Sequence, residues 1–103
     1  METFELTVDA KPQPLGRALV GCVASGDLEV MIEPNNANQA QLLITSNCAN
    51  RRRWQHIVAA IAASQTLPAM RMDIHDFAAT PGVIRLRIEQ ALAQAKEEAT
   101  HGA

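Results

Sequence analysis

The serine of a short turn is the residue of this 103-residue chain best placed to do chemistry. Ser25 lies in the segment Ala24-Ser25-Gly26-Asp27, between the β-prone runs 16–23 and 28–33. Because its neighbours are small, they cannot cover the hydroxyl, and Gly26 is free to take the positive φ of a tight turn. The residue pattern alone predicts a hairpin turn with an accessible hydroxyl at its tip.

A run of three arginines, Arg51, Arg52 and Arg53, precedes a predicted helical face. One interpretation is a solvated helix start. Cations are unfavourable at the positive end of a helix, however, and guanidinium groups recognise phosphates and carboxylates. The run therefore also indicates contact with an anion, either phosphate groups or a carboxylate-lined partner surface.

No other cluster supplies a catalytic set or a metal site. His75 and Asp76 are adjacent on a predicted strand, so they should point to opposite faces and form an exposed or structural pair. A small hydrolase that uses them is the weakest of the alternatives, because no nucleophile elbow accompanies them. Cys22 and Cys48 lack metal-ligand spacing and are expected to be reduced, small buried residues.

Composition limits the class of protein. The length fits one domain, residues 1–103, and 48% hydrophobic with 19% charged residues is typical of a globular chain. A net charge of −2 and only three aromatic residues argue against a nucleic-acid partner. No apolar run is long enough to cross a membrane. The acidic start is unlike a signal peptide, and the expected location is the cytoplasm.

Hydrophobic periodicity predicts five strands and two helices. Apolar and polar residues alternate over 4–8 and 70–75, and β-prone runs cover 16–23, 28–33 and 41–45. One apolar helical face follows a loop with capping Ser or Asn residues, and Thr80-Pro81 begins a second helix that ends near Glu98, with 98–103 a frayed tail. The prediction is an α+β fold: a mostly antiparallel sheet of about four to five strands, arranged as a meander, with two helices packed on one face. A partner is expected to cover part of the other face.

Three separated motifs carry a resemblance to a known family. They are GRALVGCVASGDLEV at 16–30, RWQH at 53–56 and DIHDFAATPGVIRLR at 73–87. In this order they resemble the acyl carrier (delta) subunit of bacterial malonate decarboxylase, over nearly the whole chain from Gly16 onward. Glycine is common in the family where Ala24 stands here, a small departure that keeps the turn uncluttered.

The resemblance implies a non-catalytic carrier. In that family the residue matching Ser25 carries a phosphodiester-linked 2'-(5''-triphosphoribosyl)-3'-dephospho-coenzyme A arm, whose thiol holds acetyl and malonyl thioesters during decarboxylation of malonate to acetate and CO2. The implied partners are the transferase and decarboxylase subunits and a loading enzyme. Gly26 would turn backbone N–H groups toward the attached phosphate, and Asp27 would either bond its own backbone or contact the loading enzyme.

Two alternatives remain beside this interpretation. A citrate lyase-type acyl carrier uses a similar group, and a non-carrier structural or adaptor subunit of a multi-subunit enzyme would need no attachment site. The helical carriers of fatty-acid synthesis are a poor match, because Ser25 lies between β-prone runs rather than at the start of a helix.

Overall fold

The computed structural model describes residues 1–47 and 50–101 and shows a five-stranded sheet with two helices. The predicted α+β class is confirmed. The elements in chain order are β1 (Glu2–Asp9), β2 (Ala18–Gly21), β3 (Asp27–Pro34), β4 (Gln39–Ser46), α1 (Arg51–Ser64), β5 (Met70–Phe77) and α2 (Pro81–His101). Neither helix is both long and apolar enough to span a membrane, as far as the described residues go.

The strands lie in the order β1-β4-β5-β3-β2, so the sheet is mixed and the predicted meander is wrong. Three neighbouring pairs are antiparallel, as expected of a mostly antiparallel sheet, but β4 and β5 are parallel. A parallel pair requires a crossover, and α1 supplies it by returning the chain from the end of β4 to the start of β5. Strand β5 thereby separates β4 from β3.

One face of the sheet and both helices form a single hydrophobic core. Alternate residues of β3, β4 and β5 are buried, which is the period-two pattern expected of a sheet covered on one side. The predicted stripe of α2 is buried in full: Ile84, Ile88, Ala91, Leu92 and Ala95. Burying a large side chain of this kind contributes about 1.5–3 kcal/mol. The packing therefore fixes the helices to one face, as predicted.

Local capping sets where both helices begin. Asn50 precedes α1, and its side-chain oxygen accepts a hydrogen bond from the backbone N–H of Arg53 at 3.1 Å. Thr80 Oγ1 accepts from the N–H of Val83 at 3.3 Å, and Pro81 is the first residue of α2. Helix α2 continues to His101, beyond the predicted end near Glu98. Of the predicted frayed tail, 102–103 lie outside the described residues.

A buried carboxylate shapes the connection from β5 to α2. Asp76 is 1% exposed and accepts hydrogen bonds from Ser46 Oγ at 2.7 Å and from the backbone N–H of Ala79 at 2.9 Å. Ala78, with φ 63°, has the left-handed conformation that reverses the chain here. His75 is exposed, with Nδ1 3.9 Å from Glu29 Oε1. Asp76 is therefore buried at the connection from β5 to α2, whereas His75 lies at the surface beside Glu29. The two residues do not form a catalytic pair.

Asp76 should be a strong determinant of stability. Asp76→Ala leaves the buried N–H of Ala79 without its acceptor, which we expect to lower the free energy of unfolding by about 1–3 kcal/mol. Asp76→Asn retains an acceptor oxygen of the same size and should cost clearly less. Urea denaturation of both variants measures the difference. Equal losses would show that the hydrogen bond to Ala79 does not matter.

Candidate functional site

Ser25 occupies the tip of a tight turn between β2 and β3. The N–H of Asp27 donates to the carbonyl of Ala24 at 3.0 Å, which closes a four-residue turn, and Gly26 has φ +81°. Ser25 itself has no positive φ, so the geometry is that of a type II turn with glycine at its third position. Every residue of 21–26 is exposed. The turn thus presents the Ser25 hydroxyl to solvent.

The base of this loop is tight, whereas its tip is open. Gly21 has φ +94°, and a Cβ at this position would overlap the carbonyl oxygen of Leu28 on the facing strand. Only glycine permits this approach of the two strands. A Cβ placed on Gly26 would instead meet no atom within 4 Å. The space beside Ser25 is therefore free for an attached group or an incoming protein.

The turn is hydrogen-bonded to the central strand of the sheet. The backbone N–H of Gly26 donates to the carbonyl of Phe77, the last residue of β5, at 2.7 Å. Asp27 pairs with Phe77 in the register of β3 and β5. The residue directly after Ser25 is consequently anchored to the same segment that Asp76 organises.

Asp27 forms a bidentate ion pair with Arg87 of α2. Arg87 Nε lies 3.0 Å from Asp27 Oδ1, and Arg87 Nη2 lies 2.8 Å from Oδ2. Asp27 Oδ1 also accepts from the backbone N–H of Leu28 at 2.7 Å. The hydrogen bond from Arg87, and then that from Leu28, hold the pKa of the Asp27 carboxyl below its usual range. The same contact raises the pKa of Arg87.

Arg87 is the residue of this site that sequence reasoning missed. It lies 60 positions from Asp27, so no local spacing relates them. Its place in the third motif, on the predicted second helix, was the only available signal. The fork geometry of a guanidinium on a carboxylate gives direction as well as strength, and it fixes the turn to the helix layer.

The three arginines of 51–53 make different contacts. Arg51 Nη1 donates to the carbonyl of Glu5 at 3.1 Å, and its guanidinium lies 5.1 Å from the centre of the Phe4 ring. Arg53 Nη2 donates to the carbonyl of Ala79 at 2.8 Å. Arg52 is exposed and makes no such contact with the described part of the chain. The structure thus assigns Arg51 and Arg53 to internal contacts with neighbouring elements.

The thiol of Cys22 is exposed, which corrects the expectation of a buried residue. Strand β2 ends at Gly21, so Cys22 lies in the loop and has no sheet face against which to pack. Cys48 lies outside the described residues. Within the described ranges, no group of three or more His, Cys, Asp or Glu side chains is arranged to hold a metal ion.

Comparison with known proteins identifies the family. The family model for the malonate decarboxylase delta subunit (MdcD) matches residues 16–95. The chain belongs to this family. The matched span includes the Ser25 turn, Asp76 and both partners of the Asp27–Arg87 pair.

Full-length relatives agree with this assignment. A malonate decarboxylase acyl carrier protein of Pseudomonas fluorescens (strain Pf0-1) is 54% identical over 91 residues, covering 87% of this chain and 92% of that protein. The corresponding protein of Pseudomonas aeruginosa (strain UCBPP-PA14) is 48% identical over 102 residues, covering 98% and 99%. A chain of the crystal structure of a Pseudomonas malonate decarboxylase hetero-tetramer in complex with malonate superposes with a TM-score of 0.86 at 45% identity, covering 91% of this chain and 98% of that one.

The Asp27–Arg87 pair predicts a pH dependence. Because the folded-state pKa of Asp27 is lowered, the pair stabilises the protein above the unfolded-state pKa near 3.8, and that contribution is lost as the pH falls through the lower folded-state value. We expect Arg87→Ala to return the Asp27 pKa, followed by NMR, toward 3.8. Arg85→Ala, which removes an exposed arginine paired with Glu89, is the control and should leave it unchanged. An Asp27 pKa that is the same in all three proteins would contradict this account.

The two loop glycines should respond differently to alanine. Gly26→Ala meets no neighbour and should cost only the left-handed backbone, about 1–2 kcal/mol. Gly21→Ala adds a collision with the Leu28 carbonyl and should lower the free energy of unfolding by clearly more. Denaturation curves of the two variants give the comparison. A smaller loss for Gly21→Ala would mean that the strands separate there at little cost.

Proposed function

We propose that this chain is the acyl carrier subunit of a malonate decarboxylase and that Ser25 is the attachment residue of its prosthetic group. The proposal rests on one observation: an exposed serine at the tip of a turn whose next two residues are bonded to β5 and to α2. Membership of the delta subunit family supports the carrier role. The proposed location of this chain is the cytoplasm.

The surroundings of Ser25 fit a bulky covalent substituent. The flanking residues Ala24 and Gly26 are small and exposed, and the space around Gly26 is open. The proposed precursor is 2'-(5''-triphosphoribosyl)-3'-dephospho-coenzyme A, of which Ser25 would hold the 5''-phosphoribosyl-dephospho-coenzyme A part as a phosphodiester; when bound, this arm supplies a terminal thiol that holds acetyl or malonyl as a thioester. Loading would form a bond from Ser25 Oγ to the phosphorus next to the ribosyl unit and break the bond from that phosphorus to the diphosphate, which would leave, while the hydroxyl proton would pass to solvent or to the loading enzyme.

The contribution of the chain itself is position rather than acid or base catalysis. A loading enzyme has to accept the Ser25 hydroxyl in its own active site, which requires a protruding turn with small neighbours. Once attached, the arm stays with the complex, so each transfer step becomes intramolecular and benefits from a high effective concentration. The proposed partners are transferase and decarboxylase subunits, consistent with the hetero-tetramer of the Pseudomonas relative.

The test is the intact mass of the chain purified from a host that contains the loading enzymes. We expect a mass above that of the sequence by the attached group, and we expect Ser25→Ala to abolish both the increment and malonate turnover by the complex. Ser64→Ala is the matched control, because this exposed serine donates to the Ile61 carbonyl at 2.8 Å, far along α1. It should keep both.

Two results would overturn the proposal. One is an unmodified chain in an active complex. The other is a Ser25→Ala complex that turns over malonate at the wild-type rate, which is the behaviour of a structural adaptor subunit.

A further inference from the structure

A cleft opens between the first turns of the two helices. Its volume is about 360 Å³, and it is lined by Asn50, Arg52, Arg53, His56, Ile57 and Pro81. We call it the α1–α2 cleft. Its size is within the range of small-molecule sites, and its lining combines two guanidinium groups and an imidazole with apolar surface. No acidic side chain is among the lining residues.

The cleft carries positive charge that the protein does not neutralise. Neither helix has an acidic residue in its first turn; the buried Asp76 carboxylate accepts from Ala79 just before α2, whereas α1 begins with three arginines. Within the described part of the chain, Arg52 and Arg53 form no ion pair with a carboxylate. The Nε of Arg53 is also buried without a hydrogen-bond partner there, so this guanidinium contributes uncompensated charge beside the cleft and no direct contact to a ligand. These features together point to an anionic ligand.

We propose that the α1–α2 cleft is a binding site for phosphate groups, with Arg52 and His56 as the direct donors. Both side chains are exposed at the cleft and lack hydrogen bonds or ion pairs to other described residues. Arg53 donates to the Ala79 carbonyl. It therefore lines the cleft and adds positive charge there, but it is not a direct donor to the ligand. Guanidinium and imidazole N–H groups beside helix N-termini are the donor set that phosphate oxygens require.

The position of the cleft connects it with Ser25. The carbonyl of Phe77 accepts from Gly26, and the carbonyl of Ala79, two residues later, accepts from Arg53. One short segment, 77–81, therefore borders both the attachment turn and the cleft. The phosphates of the arm attached to Ser25 are the nearest candidate ligand, an identification that rests on the proposed function; a free phosphorylated molecule is the other source of the same chemistry.

A concave site favours a small phosphoanion over an acidic protein surface. Arg53 and Ile57 are only partly exposed, and the volume of about 360 Å³ is large enough for a diphosphate group. The structure therefore favours a slender ligand, and docking of an acidic partner becomes an outcome of the test.

The first experiment titrates the unmodified chain with inorganic pyrophosphate at constant ionic strength, followed by backbone NMR. Amide shifts should concentrate in 52–57 and 81–84. Arg52→Ala and His56→Ala should each weaken binding about threefold to tenfold. Arg17→Ala, which removes an 80% exposed arginine on β2's side of the sheet, should not. The proposal would be overturned if no amide shifts appeared at the cleft, or if Arg17→Ala weakened pyrophosphate binding as much as Arg52→Ala does. It would also be overturned if Arg52→Ala weakened assembly of the complex while the chain bound no pyrophosphate, which is the result expected of docking to an acidic partner.

The second experiment repeats the titration on the loaded carrier and separates the sources. If the arm supplies the ligand, pyrophosphate binds the loaded chain less tightly, and Arg52→Ala narrows the 31P signals of the arm without changing the intact mass. Unchanged affinity in the loaded chain supports a site for a free phosphorylated molecule. If the chain binds pyrophosphate at the cleft but shows no mass increment, only the proposed function is contradicted. If the chain shows the mass increment but binds no pyrophosphate at the cleft, only the proposal of a phosphate site is contradicted.

Discussion

The bidentate pair between Asp27 and Arg87 is the interaction on which the geometry around Ser25 depends. A turn of small residues with glycine at its third position has little side-chain packing of its own to hold it still. Asp27 compensates through three contacts: its N–H closes the turn, one carboxylate oxygen accepts from Leu28, and both oxygens accept from Arg87. Because Arg87 belongs to a helix packed on the core, the rigidity of the core extends to the residue two positions from the serine.

Strand order explains why so many polar features lie at one end of the sheet. Strand β3 begins where β5 ends because the two are antiparallel, and β4 ends at the same level because it is parallel to β5. Helix α1 follows β4 and helix α2 follows β5, so both helices begin at this end. The Ser25 turn, the buried Asp76 and the two positive helix ends are therefore neighbours as a result of one parallel strand pair.

Local patterns predicted the elements well, since strand alternation, the stripe of α2 and the caps at Asn50 and Thr80 depend on neighbouring residues. Strand order was not accessible in this way. Five β-prone runs are compatible with many orders, and the parallel pairing of β4 with β5 through the α1 crossover joins residues far apart in the chain. The pairing of Asp27 with Arg87, and the separation of Arg51 from Arg52, likewise depend on contacts between residues far apart in the chain.

The charge of Asp27 matters for the proposed attachment at Ser25. A free carboxylate two residues away would repel an incoming phosphate group, because like charges at short range oppose each other. Pairing with Arg87 offsets that charge. The carboxylate of Asp27 still accepts the hydrogen bond from the N–H of Leu28. The same device that holds the turn thus also keeps its electrostatic surroundings compatible with an anionic substituent. With the uncompensated arginines of the α1–α2 cleft nearby, this end of the sheet suits a phosphate-rich arm even though the chain as a whole is weakly acidic.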